Sequence, residues 1–206
     1  MIPFNTVSLE SEFEKIIDGI LTQGYGFSDA IVTPDDVLAL NEAFDFRKST
    51  GQFASAAVGQ QAGKQVLTEI RGDQICWLPE EGIFPGEALY VSKIQALIEY
   101  FNRTCFLGLQ DAELHYAEYP VGAFYKRHLD RFRTDSRRKL SVICYLNQQW
   151  EPTDGGQLIL FPNPARIESI LPLGGRLVCF ESDVLEHEVL QAQRPRRSLT
   201  GWLRTR

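Results

Sequence analysis

The chain has 206 residues, of which 44% are hydrophobic, 23% charged and 11% aromatic, with a formal net charge of −6. That length suits one compact domain with a sizeable core, and the composition excludes a disordered or collagen-like chain. No apolar run reaches the length of a membrane-spanning helix, and the acidic balance argues against a nucleic-acid partner, which is usually met by a basic excess.

Taken in chain order, the first predicted element is an amphipathic helix. Phe13, Ile16, Ile17, Ile20 and Leu21 recur at helical spacing, with Ser8 or Ser11 as the cap and Gly24 as the stop. The opening stretch MIPFNTVSLESEFEK has no basic segment followed by a continuous apolar one, so no secretory signal is read and a cytoplasmic location is expected. A second helix starts at Thr33-Pro34-Asp35-Asp36, where a cap, a proline at the first helical position and first-turn acids coincide. It is expected to end near Phe44. Residues 48–65 are small, polar and glycine-bearing, and read either as a long, mobile, functional loop or, equally, as a merely disordered one. A third helix, from about Gly86 to Asn102, carries a stripe of Val91, Ile94, Leu97, Ile98 and Phe101.

From Glu69 onward the character changes to short strand-like runs: TEIRGDQICWL, FLGLQDAELHYAEY, KLSVICYLN, GGQLILF, GRLVCFES, EHEVLQA and RSLTGWLR, separated by Gly, Pro, Asn and Asp clusters. The expected fold is mainly β with buttressing helices, in a single domain over 1–206. Residues 1–65 form its helical start and loop, and 66–206 its antiparallel β core. Cys76, Cys105, Cys144 and Cys179 are widely separated, without a CxxC pair, and read as free thiols in apolar surroundings.

The chain has three histidines, and two stand where a metal site needs them: His128 in His128-Leu129-Asp130, and His187 at the start of a later strand-like run. Side chains two apart in a strand share a face, so His128 and Asp130 can approach one ion together, and His187 can join them from a neighbouring strand. Two imidazoles and one carboxylate on one face of an octahedral metal are the facial triad of non-haem iron(II) oxygenases. An HxD pair alone is a weak signal; the downstream strand strengthens it. In Arg196-Arg197-Ser198-Leu199-Thr200-Gly201-Trp202, alternation places Arg196, Ser198, Thr200 and Trp202 on one face and Arg197, Leu199 and Gly201 on the other. An arginine beside hydroxyls on the metal's face suits a dicarboxylate such as 2-oxoglutarate, held by Arg196 with Ser198 or Thr200 as a further donor. Arg197, Arg204 and Arg206 read as a solvated basic edge.

The stretch Tyr119 to Asp130, then Tyr145-Leu146-Asn147, Asp154-Gly155-Gly156-Gln157-Leu158, His187-Glu188-Val189 and Arg196 to Trp202, with Ile70 to Trp77 upstream, resembles the prolyl hydroxylases. Within them it is most similar to the branch of the hypoxia-inducible-factor prolyl hydroxylases and their bacterial relatives, over about residues 66–204. The resemblance implies a distorted double-stranded β-helix, or jelly roll. It implies iron ligands His128, Asp130 and His187, Arg196 as the 2-oxoglutarate arginine, and Tyr145 as a phenol on the same distal carboxylate. Tyr119, Leu158, Thr200 and Trp202 would line that pocket. The implied cofactors are iron(II), 2-oxoglutarate and dioxygen, with ascorbate as reductant, and the implied reaction is prolyl hydroxylation with release of succinate and carbon dioxide. Arg197 departs from the pattern, since an uncharged residue is common there, and so it rivals Arg196.

The resemblance further implies a protein substrate with a loop proline, elongation factor Tu being the leading candidate because the bacterial relatives act on it. Residues 48–65 would clasp it, and the charges of Arg71 and Asp73 would meet Arg137 and Arg138 at the site entrance or the partner's polar groups. The rival readings are a nucleic-acid demethylase of the same superfamily, using the C-terminal arginines on phosphate, and a metal-keeping jelly-roll module without turnover.

Overall fold

The computed structural model describes residues 8–56, 70–79, 83–130 and 137–206. Helix α1 (Leu9–Gln23) begins after Ser8, whose side chain makes no capping bond, and stops at Gly24. Gly24 takes φ 88°, where a Cβ would be penalised, and its N–H reaches the Ile20 carbonyl at 3.0 Å. Phe13, Ile16 and Ile17 are buried as the period requires, but Leu21 stands in solvent.

Helix α2 (Pro34–Ser49) opens on the predicted cap: Asp36 N–H donates to Thr33 Oγ1 at 3.2 Å and Thr33 N–H to Asp36 Oδ2 at 2.7 Å. It continues past Phe44 to Ser49, because its last turns are anchored by a charge and not by an apolar stripe. The Arg47 guanidinium donates to both oxygens of Glu87, at 2.7 and 2.8 Å, with both side chains buried. Glu87 lies in the first turn of helix α3 (Pro85–Cys105) and also accepts from Phe84 N–H at 2.9 Å, so one carboxylate caps α3 and ties α2 to it. In α3 the buried stripe includes Tyr90, whereas Val91 is exposed. The expected loop over 48–65 is therefore corrected at its start. Lys48 and Ser49 finish α2, and Ala54–Ser55 form a strand; residues 57–65 lie outside the described residues.

The strands are β1 (Tyr25–Ser28), β2 (Ala54–Ser55), β3 (Gln74–Trp77), β4 (Asp111–Tyr119), β5 (Tyr125–His128), β6 (Arg138–Tyr145), β7 (Leu158–Asn163), β8 (Arg166–Ile170), β9 (Leu177–Glu181), β10 (Glu186–Val189) and β11 (Arg196–Arg204). Among the described residues they form two antiparallel sheets, a large one in the order β1-β9-β6-β11-β4-β3-β2 and a small one in the order β5-β10-β7-β8. β1, β2, β5 and β8 have no counterpart among the predicted runs. They are short, and in β8 only Ile170 turns inward while Ile167 faces solvent, so no clean alternation marks it.

Alternation along the large sheet builds two cores. Leu114 and Tyr116 of β4, Val142 and Cys144 of β6, Cys179 of β9 and Leu199 of β11 face the helices, against Phe13, Leu40, Phe44, Ile94 and Leu97. Their neighbours Ala117, Tyr119, Ile143, Tyr145, Val178 and Phe180 face the small sheet, against Leu158, Leu160, Ile170 and Val189. The result is a distorted double-stranded β-helix with helices on one face. Cys76, Cys144 and Cys179 are buried free thiols, and Cys105 is half-buried and free.

The Arg47–Glu87 pair generates a stability prediction. Burial opposes ionisation of Glu87, but Arg47 and the Phe84 N–H outweigh it and hold the carboxyl below its ordinary value of 4.5. The stabilisation is thus complete above pH 4.5 and is lost as pH falls below it. Glu87→Gln is expected to cost about 3 kcal/mol in urea unfolding at neutral pH. It should also flatten the fall in stability between about pH 5 and 3; an unchanged profile would refute the assignment.

Candidate active site

β5 and β10 are antiparallel neighbours in the small sheet, with His187 directly opposite His128. Asp130 follows just beyond the end of β5, and its N–H donates to the Ser182 carbonyl at 3.1 Å, which fixes the turn. The three side chains converge: His128 Nε2 lies 3.5 Å from Asp130 Oδ1, and His187 Nε2 lies 3.6 Å from Asp130 Oδ2. The ligand atoms all fall within 4.8 Å of one another.

Each imidazole is oriented through its other nitrogen. His128 Nδ1 lies 2.7 Å from the Lys126 carbonyl, and His187 Nδ1 lies 3.2 Å from the Leu185 carbonyl. A carbonyl only accepts, so both Nδ1 atoms carry the proton and both Nε2 lone pairs face the cluster. Burial holds the His187 imidazole down to about 4, against the pull of Asp130, so it is neutral at physiological pH. For Asp130 burial opposes ionisation, and a 2.7 Å bond donated by Ser141 Oγ favours the charged form. The donor set fits iron(II). Ligands at right angles on bonds of about 2.1 Å stand about 3 Å apart, close to the spacing here. His128 Nε2 is buried with no hydrogen-bond partner among the described residues, which is what a ligating atom awaiting its ion looks like.

The large sheet supplies the facing wall. β11 pairs with β4 on one side and β6 on the other, with Arg196 opposite Tyr119, Ser198 between Ala117 and Tyr145, and Thr200 between His115 and Ile143. Arg196 is 2% exposed and points inward; its Nε donates to the Gly156 carbonyl at 2.8 Å. Its guanidinium carbon lies 5.0 Å from the Tyr119 ring centre and 4.9 Å from that of Tyr145. Among the described residues no carboxylate pairs with Arg196, and the buried Tyr145 hydroxyl has no hydrogen-bond partner. Glycine suits this position, since its φ of 67° would strain any other residue and a Cβ would stand 3.1 Å from the Arg196 Cδ, which would have to give way.

Arg197 points the other way. It meets Asp45 at 2.9 Å and lies over the Phe44 ring at 4.4 Å, both on α2. The predicted alternation of β11 therefore holds, and the rivalry between the two arginines is resolved by side. Leu158 is wholly buried in the core between the sheets, and Ser198 Oγ lies 3.0 Å from Thr200 Oγ1. Trp202 leaves its buried indole N–H without a partner among the described residues, and Arg138 lies 3.4 Å above its ring.

The residues expected to contact a partner are engaged internally. Arg71 donates to both oxygens of Asp73, at 2.7 and 2.6 Å, so these two charges meet each other. Arg138 donates to Glu113 at 3.1 Å and to the Asp130 carbonyl at 3.3 Å. Trp77 is 42% exposed.

Sequence reasoning passed over four residues around the site. Ser141 shares a face with Ile143 and Tyr145, so alternation back from Tyr145 would have found it. The same step back from Tyr119 through Ala117 reaches His115, which is sandwiched between Trp77 and Trp202 at ring separations of 4.7 and 5.3 Å. Ser182, whose hydroxyl lies 2.9 Å from Ser141 Oγ, carried no pattern. Tyr125 stacks on His128 with ring centres 3.5 Å apart and planes 17° apart. Strict alternation puts residues three apart on opposite faces, but three steps of β5 here span two of β10, and this bulge turns Tyr125 to the side of His128.

Comparison with known proteins agrees with this geometry. A family model described as the 2OG-Fe(II) oxygenase superfamily matches residues 114–204. A prolyl-4-hydroxylase of Pseudomonas putida shares 39% identity, covering 94% of this chain and 99% of its own, with a TM-score of 0.85. A Trichoplax adhaerens prolyl hydroxylase, solved with a peptide fragment of the hypoxia-inducible-factor oxygen degradation domain, shares 29% identity over 95% of this chain and 90% of its own, with a TM-score of 0.83. The viral collagen prolyl hydroxylase of Paramecium Bursaria Chlorella virus-1, solved with 2-oxoglutarate, is 17% identical over 90% of this chain and 98% of its own, with a TM-score of 0.61, and speaks to the fold alone. On this frame, with an HxD…H triad at one wall and a buried arginine at the other, the chain belongs to the iron(II)- and 2-oxoglutarate-dependent oxygenases, as an enzyme of prolyl-4-hydroxylase type.

Proposed function

We propose that this enzyme hydroxylates a prolyl residue presented by a protein, with His128, Asp130 and His187 as iron ligands and Arg196 as the anchor for 2-oxoglutarate. The carrying observation is Arg196: a buried guanidinium that donates to the Gly156 carbonyl and lies against the Tyr119 and Tyr145 rings, with no carboxylate beside it among the described residues. Leaving such a charge unpaired is costly, so the site calls for an anion. A five-carbon dicarboxylate answers it by placing one carboxylate against Arg196 and Tyr145 and its keto-acid end toward the triad.

Bound iron(II) and 2-oxoglutarate supply oxygen activation coupled to decarboxylation of the co-substrate to succinate and carbon dioxide. The protein's own residues prepare for it. The imidazoles of His128 and His187 and the carboxylate of Asp130 present three donors that would hold the iron from one side. Arg196 and Tyr145 set the direction of the co-substrate, Ser198 and Thr200 offer hydroxyls along it, and Tyr119 and Leu158 close it from water. Trp202, His115 and the half-exposed Trp77 form the aromatic side of the cavity.

Three outcomes test this reading. His187→Ala should abolish iron binding and 2-oxoglutarate decarboxylation while the protein stays folded; near-normal turnover with fresh iron(II), with or without ascorbate, would remove the triad assignment. Arg196→Ala should raise the 2-oxoglutarate concentration needed for half-maximal rate by about a hundredfold or more, and Arg197→Ala should change it little. The reverse order would move the anchor to the other face of β11. For the partner, elongation factor Tu is the leading candidate on resemblance to bacterial relatives, and the Trichoplax adhaerens enzyme's peptide complex supports a peptidyl substrate. Incubation of purified elongation factor Tu with the enzyme in a cytoplasm-like buffer should add one oxygen to a single proline on peptide mapping. Free proline hydroxylated at a comparable rate would refute a protein substrate.

Three of the C-terminal arginines that a nucleic-acid demethylase would use on phosphate have partners within the chain. Arg194 donates to the Gln148 and Gln149 carbonyls, Arg197 pairs with Asp45 and Arg204 with Asp111.

A further inference from the structure

The two histidines of the triad are held differently. His187 lies deep between the sheets, with the Phe180 ring standing edge-on at 4.8 Å. His128 lies at the end of β5, its side chain three times as exposed at 15% against 5%. Its Nδ1 bond to the Lys126 carbonyl is an anchor within its own strand and lets the ring tilt about that bond. What fixes the plane of the ring is Tyr125, stacked on it at 3.5 Å and 17°.

Tyr125 is itself backed. The Arg71 guanidinium carbon lies 4.3 Å over the Tyr125 ring, and since His128 fills one face at stacking distance, Arg71 takes the other. Asp73, fully buried, grips Arg71 through two parallel bonds and orients the guanidinium plane. It also cancels a positive charge that would otherwise disfavour a divalent cation nearby. The backbone seals the arrangement, with a bridge between Arg71 and Tyr125, a 3.0 Å bond from Gly72 N–H to the Phe124 carbonyl and a 2.9 Å bond from Lys126 N–H to the Ile70 carbonyl. Asp73 in turn accepts, through its carbonyl, a 3.0 Å bond from Ala56 N–H at the end of β2.

We propose that Asp73, Arg71 and Tyr125 form a stacked brace that sets the plane of His128, making Arg71 and Tyr125 positioning residues for the metal. This rests on the reading of His128, Asp130 and His187 as the metal site. The brace couples the β2–β3 hairpin to metal affinity, because any displacement of residues 70–73 tilts the Tyr125 ring and with it the His128 lone pair. Groups that orient a ligating histidine without touching the ion typically change metal affinity by 10- to 100-fold when removed.

The experiment titrates the metal-free protein with cobalt(II) alone and follows both affinity and the visible ligand-field spectrum, which reports coordination geometry independently of turnover. Tyr125→Leu and Arg71→Met are expected to weaken cobalt(II) binding about tenfold or more and to alter the spectrum. Tyr125→Phe keeps the stack and should bind within about twofold of wild type, as should Arg127→Ala, whose exposed side chain on the same strand pairs with Glu186. Wild-type affinity and spectrum in folded Tyr125→Leu and Arg71→Met proteins would overturn the brace. If Arg71→Met fails to fold, the contrast between Tyr125→Leu and Tyr125→Phe decides alone, and equal affinities in that pair would overturn it too. Undiminished cobalt(II) binding by His187→Ala would instead overturn the triad itself, a separate result.

Discussion

The large sheet is buried on both faces, and that constraint governs the rest of the molecule. Its outer face meets three helices and can be apolar throughout, but its inner face must close a core with the small sheet and also carry polar groups. Every polar group placed there costs free energy unless something bonds to it. Ser141 is satisfied by Asp130 and Ser182, and Arg196 Nε by the Gly156 carbonyl. The Tyr145 hydroxyl, the Trp202 indole N–H and His128 Nε2 are not satisfied by the described residues. Apolar residues at these positions would make a more stable sandwich; the polar ones are explained by what the cavity binds.

The two sheets divide the work. The small sheet carries both histidines on adjacent strands, where direct pairing of His187 with His128 sets their separation. The large sheet carries Arg196 at the start of β11, where it pairs with Tyr119 of β4, and the ladder to β6 begins two residues on at Ser198. Asp130 links the two, since it follows β5 of one sheet yet accepts from Ser141 of the other. The triad and the buried Arg196 are thereby fixed relative to each other by sheet packing.

Much of this was legible in the sequence because it depends on period two. The faces of β11, the inward turn of Arg196 and the outward turn of Arg197 follow from alternation alone, and the capping box of α2 follows from local chemistry. What was not legible depends on long-range pairing. Helix α2 outruns its apolar pattern because Glu87, distant in sequence, receives Arg47. Arg71 and Asp73 read as two free charges in a row, and only their burial against Tyr125 shows them as a closed pair. Tyr125 itself was hidden by the bulge, since one extra residue in β5 reverses the parity on which the reading relied.

That bulge has a physical use. In a regular strand the residues preceding and following a ligating histidine on its own face lie two positions away, spaced by the strand's repeat and too far apart to stack ring on ring. The extra residue shortens the spacing on one face, so an aromatic ring comes down on His128 at 3.5 Å while the ladder to β10 resumes at Val189. A cation behind that ring completes a sandwich of guanidinium, phenol and imidazole, each flat and each fixed by its neighbour. The more exposed ligand thus acquires by stacking the rigidity that His187 has by burial, and two histidines in different surroundings come to present equivalent lone pairs to one ion.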